Sequence, residues 1–217
     1  MYTLDELNVR IIACKKCPRL VKYIRTISKE KVRRYSDWEY WGKPLPGFGD
    51  PGAKLLIIGL GPAAHGGNRT GRMFTGDSSG DWLIRALHQE GFANQATSER
   101  RDDGLELNGA YITAIVRCAP PKNRPSRKEI ENCSPYLAEE LKLLRNVRVI
   151  LTLGALAFNT YTSIRHTRLK FVHGAIYGLD DITLVASYHP SRQNTQTGRL
   201  NWEQWISIFT KIRKLIN

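Results

Sequence analysis

Four apolar runs recur along the chain with no polar alternation: Lys54 to Leu60 (KLLIIGL), Ala110 to Arg117 (AYITAIVR), Arg148 to Leu153 (RVILTL) and Ile182 to Ser187 (ITLVAS). Strands that are apolar on both faces must be covered on both, which is the pattern of a parallel sheet between helices. Helical segments fall between the runs. Gly80 to Glu90 carries Leu83, Ile84 and Leu87 on one face, with Gly91 after it. Ser126-x-x-Glu129 is a capping box ahead of Ile130, Leu137, Leu141 and Leu144; Ala155 to Tyr161 makes a short helix; and Trp202, Trp205, Ile206 and Phe209 recur at core spacing. Thr3-x-x-Glu6 caps a first helix, and Pro18 suits the first turn of a second. The expected fold is therefore α/β, a three-layer α/β/α sandwich around a mainly parallel four-stranded sheet. With 217 residues and 41% hydrophobic content, the chain can form a single domain over residues 1–217, its first 50 residues or so forming an appendage.

Cysteine usage adds a second constraint. Cys14-x-x-Cys17 presents two thiols from one turn, and Cys118 and Cys133 return from far along the chain to complete a set of four with none left over. Spacing alone does not separate zinc from iron and sulfur. The fourteen residues between Cys118 and Cys133 fit a zinc knuckle less well than a 4Fe-4S cubane, so the cluster is preferred. Small core residues and disulfides are the alternatives. Because MYTLDELNVR lacks the apolar core of a signal peptide, the expectation is a cytoplasmic chain with reduced thiols. No apolar run approaches the length of a membrane span, so no membrane partner is expected.

A net charge of +13 calls for an anionic partner, most often nucleic acid. From Cys14 to Arg34 there are nine Lys or Arg against one acid, Glu30, while Leu20, Val21, Ile24 and Ile27 recur at helical spacing. This reads as a helix with one buried face and one basic face, either simply solvated or meeting phosphates.

In an open parallel sheet, ligands bind beyond the carboxyl ends of the strands. The unusual segments all lie there: Gly61 to Asp77 after the first run, Cys118 to Asn123 after the second, and Tyr188 to Asn194 after the fourth. Neither G-x-G-x-x-G nor a P-loop is present, which disfavours a nucleotide cofactor.

GLGPAAHGGNRTGRMFTGD, VRCAPPKN and HPSRQN, in this order, with YWGKPLPGFGDP ahead of them and the four cysteines around them, resemble an iron-sulfur uracil-DNA glycosylase of family 5, the UDGb branch. The resemblance runs from Cys14 to about Leu200. It implies a 4Fe-4S cluster on Cys14, Cys17, Cys118 and Cys133, and removal of uracil from DNA without a lyase step. It also implies a monomer working at the nucleoid on double- and single-stranded DNA that contains uracil or other deaminated bases. Family 4 relatives carry a water-handling acid just after the first strand and an asparagine on the second. This chain has Leu60-Gly61-Pro62-Ala63 and Ala114 in those places.

The residues suit that chemistry. Hydrolysing an N-glycosidic bond requires a flipped base, contacts that hold it, and water attack as charge builds on the leaving group. Asp77 is the candidate for orienting or deprotonating water, with helix capping as its rival role. His189 is the candidate donor to the base carbonyl. Phe74 would stack on the base or anchor the loop, Asn123 would read the base edge or form a turn, and Gly61 would bring backbone against the base. Arg192, Gln193, Asn194 and Arg69 are the candidate DNA contacts, the first three either entering the minor groove or making a polar turn. Two other classes stay open. A non-catalytic iron-sulfur DNA-binding module would not need Asp77 or His189, and a cluster-bearing redox enzyme would need a second electron partner.

Overall fold

A computed structural model describes residues 2–216. Its elements, in order, are α1 (Leu4–Ile12), α2 (Pro18–Glu30), β1 (Phe48–Gly49), β2 (Leu55–Gly59), α3 (Gly67–Thr70), α4 (Ser78–Gln89), β3 (Ala110–Ala114), α5 (Arg127–Leu143), β4 (Val149–Leu153), α6 (Ala155–Ile164), β5 (Ile176–Leu179), β6 (Ile182–Ser187), α7 (Arg192–Gln196) and α8 (Trp202–Ile216). The sheet order is β1-β3-β2-β4-β6-β5. The four strands expected from the apolar runs form its parallel centre.

Side chains alternate across the sheet even though the sequence does not. Leu55 and Ile57 join Leu83, Leu87, Trp205 and Phe209 on one face, while Leu56 and Ile58 join Leu137, Phe158 and Tyr161 on the other. Helices α4 and α8 thus cover one side and α5 and α6 the other, which completes the three layers.

The sheet has six strands rather than four. The additions are antiparallel edges: β1 pairs with β3, and β5 forms a hairpin with β6. Each is short, and β1 has only two residues. Gly178 and the Asp180-Asp181 turn make the β5 segment resemble a loop in sequence. The ladder of β3 also stops at Ala114 rather than Arg117, although the N–H groups of Ile115 and Val116 still bond the carbonyls of Gly59 and Leu60.

Helices α1 and α2 sit outside the sandwich and attach through two small apolar clusters. Leu7 and Ile11 of α1 pack with Val116, Cys133 and Tyr136. Leu20 and Ile24 of α2 pack with Cys118 and Ala119. Each cluster contains a cysteine from the body of the domain, so the thiols lie at the seam.

Both capping boxes form as the sequence indicates, at Thr3/Glu6 and Ser126/Glu129. Trp205 is fully buried, and its indole N–H donates to the Trp82 carbonyl at 3.0 Å. Trp205→Ala empties that volume and removes that hydrogen bond; chemical denaturation should show a loss of about 3–5 kcal/mol.

Candidate active site

Strand β2 lies between β3 and β4, and the chain crosses over it to reach β4, so the connections diverge to either side of β2. Loops leaving β2, β3 and β6 enclose a cleft of about 400 Å³ at this position, within the span of small-molecule sites. Gly61, Phe74, Asp77, Asn123, His189 and Gln193 all line it. Lys122, Arg124, Ser79 and Ser191 line it too and were not singled out in the sequence, although each lies within a few residues of a motif position.

Asp77 has both of the roles proposed for it. It is the N-cap of α4: Oδ1 accepts from the backbone N–H of Ser79 and of Gly80, both at 3.0 Å. Oδ2 takes no part in the cap and lies over Gly66, where an added Cβ would come within 2.1 Å of it. Burial raises the Asp77 pKa above the usual carboxylate range; the two N–H donors oppose that, Asp81 adds to it, and Arg69 lowers it. The result is a half-buried carboxylate with one oxygen fixed and the other free to act on water.

Phe74 has a left-handed backbone, φ 49°. The bend is accommodated because Gly80 follows: a Cβ there would lie 2.3 Å from the Phe74 carbonyl oxygen. The Phe74 ring is 9% exposed and stacks on His189 with centroids 5.8 Å apart, so the two rings form one wall of the cleft. Burial pulls the His189 imidazole down to about 4. It is therefore neutral at pH 7, and among the described residues neither ring nitrogen has a hydrogen-bond partner. One N–H is thus available to a ligand. Asn123 is exposed at the mouth, at the end of a 3-10 turn in which Lys122 and Asn123 both have φ 54°. Gly61 presses its backbone against Val116, where a Cβ would lie 2.6 Å from a methyl.

Residues 46–212 match the sequence profile of the uracil DNA glycosylase superfamily. The chain belongs to that superfamily. It is 48% identical over 208 residues to a type-5 uracil-DNA glycosylase of Pyrobaculum aerophilum, covering 95% of this chain and 91% of that protein. Identity is 46% over 209 residues to a type-5 enzyme of Thermus thermophilus, with 94% of each chain covered. It is 44% over 219 residues to one of Mycobacterium leprae, covering 98% of this chain and 96% of that one. The type-5 branch read from the motifs is the branch to which the chain belongs.

Three expected positions of this glycosylase-superfamily chain correct the sequence reading. Arg69 is 3% exposed: its guanidinium lies 3.9 Å from the ring centroids of both Tyr35 and Trp38, and it donates to the carbonyls of His65 and Gly76. It braces the glycine-rich loop instead of facing DNA. Asn194 turns inward and donates to the His189 carbonyl at 2.8 Å, which holds the His189 loop; Arg192 and Gln193 stay exposed. Ala114 is 1% exposed in the apolar cluster that includes Phe74, so it lies beneath the ring rather than in the cleft. Asn68, left without a role by the sequence, is fully buried and donates to the carbonyls of Ile24 and Ala64, tying α2 to the loop.

A larger cavity of about 800 Å³ adjoins the cleft. Ala63, Asp77, Lys122 and Asn123 line both, and Arg34 and Arg192 line the larger one. Asp77 therefore stands on the wall shared by the two.

The four cysteines form no disulfide with one another and surround one small cavity, together with Arg117 and Asn132. Asn132 donates to the Cys17 sulfur at 3.6 Å. Burial pushes the Cys133 thiol up to about 11, opposed first by the charge of Arg117 and then by the nearby Arg117 backbone N–H. Burial also drives the Cys118 thiol far up, and the other three cysteines add to the shift. Among the described residues no group of three or more His, Cys, Asp or Glu stands ready to hold a single metal ion. Four thiols with N–H donors around one cavity fit a multinuclear centre, whose positive charge favours the thiolate form.

The two roles of Asp77 separate by substitution. Asp77→Ala should lose about 1 kcal/mol of stability in urea unfolding, whereas Asp77→Asn, which keeps a cap acceptor, should lose far less.

Proposed function

We propose that the chain hydrolyses the N-glycosidic bond of uracil in DNA, without strand cleavage, as the first step of base excision repair. The observation that carries this is the free Oδ2 of Asp77 in a cleft whose opposite wall offers an unpartnered, neutral His189.

The target nucleotide swings out of the stack and its base enters the cleft against the Phe74 and His189 wall. Asp77 holds water toward C1′ and takes its proton as oxygen bonds to C1′ and the bond from C1′ to N1 breaks. The electron pair leaves with the base, and negative charge gathers on the carbonyl oxygen next to N1. The His189 N–H donates to that oxygen, which is worth most in a site with little water. Asn123 at the mouth meets the base edge. Arg192 and the exposed Lys15, Lys22, Arg25 and Lys29 of the α2 region meet phosphates of single- or double-stranded DNA. Cys14, Cys17, Cys118 and Cys133 would hold a 4Fe-4S cluster, which supplies a cross-link between α1, α2 and the sandwich rather than chemistry at the cleft.

A labelled oligonucleotide with one uracil tests the reading. The strand should break at that position only after alkali. Breaks before alkali would reveal a lyase, and none at all would leave a DNA-binding module.

Asp77→Asn should lower the single-turnover rate by roughly 10²- to 10⁴-fold with little change in DNA affinity. Water activation requires ionised Asp77, whose pKa is raised, so the wild-type rate should fall as pH drops through a value above the ordinary carboxylate range. His189 stays neutral down to about 4 and adds no step near pH 6.5. The acidic limb should vanish in Asp77→Asn, and its survival there would move the base elsewhere.

The cleft accepts more than uracil on this reading. No buried amide projects from β3, since Ala114 occupies the strand end, and Asn123 is exposed and adaptable. A base whose edge fails to match leaves no buried amide unpaired, and an unpaired buried group is the strongest source of rejection. A panel of single-lesion duplexes should show release of hypoxanthine as well as uracil, with cytosine and thymine in normal pairs spared. Excision of uracil alone would overturn this part.

A further inference from the structure

Behind the cysteines lies an ion pair that the fold does not require. Arg117 is 1% exposed and Glu140 fully buried; Nη2 of the arginine donates to Oε2 of the glutamate, which also accepts from Thr113 Oγ1 at 2.6 Å. Removing both charges from water is costly, and a pair of apolar residues of similar volume often holds a core as well or better. Such a pair is stabilising only when its remaining donors and acceptors are met. Here they are not: among the described residues Nε and Nη1 of Arg117 and Oε1 of Glu140 have no partner.

The unused donors belong to a residue that lines the cysteine cavity. Arg117 immediately precedes Cys118, lines the cavity with Cys133, and its positive charge lowers the Cys133 thiol pKa. A four-thiolate cluster has net negative charge and two kinds of sulfur, and N–H groups donating to them set both its retention and its reduction potential. Glu140, from α5, holds one edge of the guanidinium, and Thr113 of β3 donates to the same carboxylate oxygen.

We propose that Arg117 is a positioning residue for the cluster: held by Glu140, whose carboxylate Thr113 fixes in turn, it directs its free Nε–H and Nη1–H groups to the cluster sulfurs. This rests on the reading of the cysteine cavity as an iron-sulfur site. The Glu140 carboxylate then has a second effect, because it offsets the arginine charge and keeps the potential lower than a lone cation would.

The test uses purified full-length protein and does not depend on excision. Wild type should be brown with about four irons per chain. Zinc or no metal would overturn the cluster reading itself, and the Arg117 proposal with it. With the cluster present, the decisive variant is Arg117→Met with Glu140→Leu, which removes the pair without stranding a charge. It should fold, yet lose its visible absorbance to an iron chelator 10- to 100-fold faster than wild type. Its terminal iron-sulfur stretching bands in resonance Raman should shift, and its reduction midpoint should move to lower potential. Wild-type retention, bands and midpoint in the folded double variant would show that the pair is only a core filler. If the double variant does not fold, Glu140→Gln decides: it leaves the arginine charge uncompensated and should raise the midpoint, and an unchanged midpoint would equally overturn the proposal.

Discussion

The hydrogen bonds from Ser79 and Gly80 to one oxygen of Asp77 fix the geometry of the whole site. An N-cap is ordinarily a stability device. Here the cap also decides where the second oxygen goes, because a carboxylate is rigid and its cap oxygen cannot turn without losing two donors. The neighbouring glycines make the arrangement possible. At Gly66 a side chain would collide with the free oxygen, and at Gly80 it would collide with the Phe74 backbone. Helix α4 is in turn fixed by Leu83 and Leu87 in the core, so the position of the water-handling oxygen is inherited from the packing of the sandwich.

The two ionisable groups of the site are set in opposite directions by the same cause. Loss of water raises the Asp77 pKa and lowers that of His189. One becomes a better base and the other remains a neutral donor. Lys122 and Arg124 line the cleft, but much of the cationic character of the chain lies along the exposed side of α2 and around the Arg192 loop, where it can serve affinity. Burying Arg69 follows the same division: its charge stays close enough to oppose the rise at Asp77 but does not face the solvent.

Much of this is legible in the sequence because it is local. Continuous apolar runs gave the parallel strands, and the capping boxes appear where their letters stand. Loops at the carboxyl ends of parallel strands must converge, so the sequence alone groups Asp77, His189, Phe74 and Asn123. What was not legible depends on distant partners. Arg69 is buried by Tyr35 and Trp38, which lie more than thirty residues upstream and give no periodic signal. Asn194 looks like a DNA contact until the His189 carbonyl is seen to claim it. The edge strands escaped notice because β1 is two residues long and β5 is interrupted by glycine. The Arg117–Glu140 pair, with twenty-two residues between its members in sequence, reads as one ordinary arginine and one ordinary helix glutamate.

The central claim is that one cleft receives the base, with Asp77 set against C1′. A crystal structure with DNA carrying 2′-fluoro-deoxyuridine, whose fluorine slows bond cleavage, tests it most directly. The account predicts an extrahelical uracil against Phe74 and His189, the His189 N–H on its carbonyl oxygen, and a water between Asp77 Oδ2 and C1′. A uracil lodged in the larger cavity, or one in the cleft with Asp77 turned away from the sugar, would contradict it.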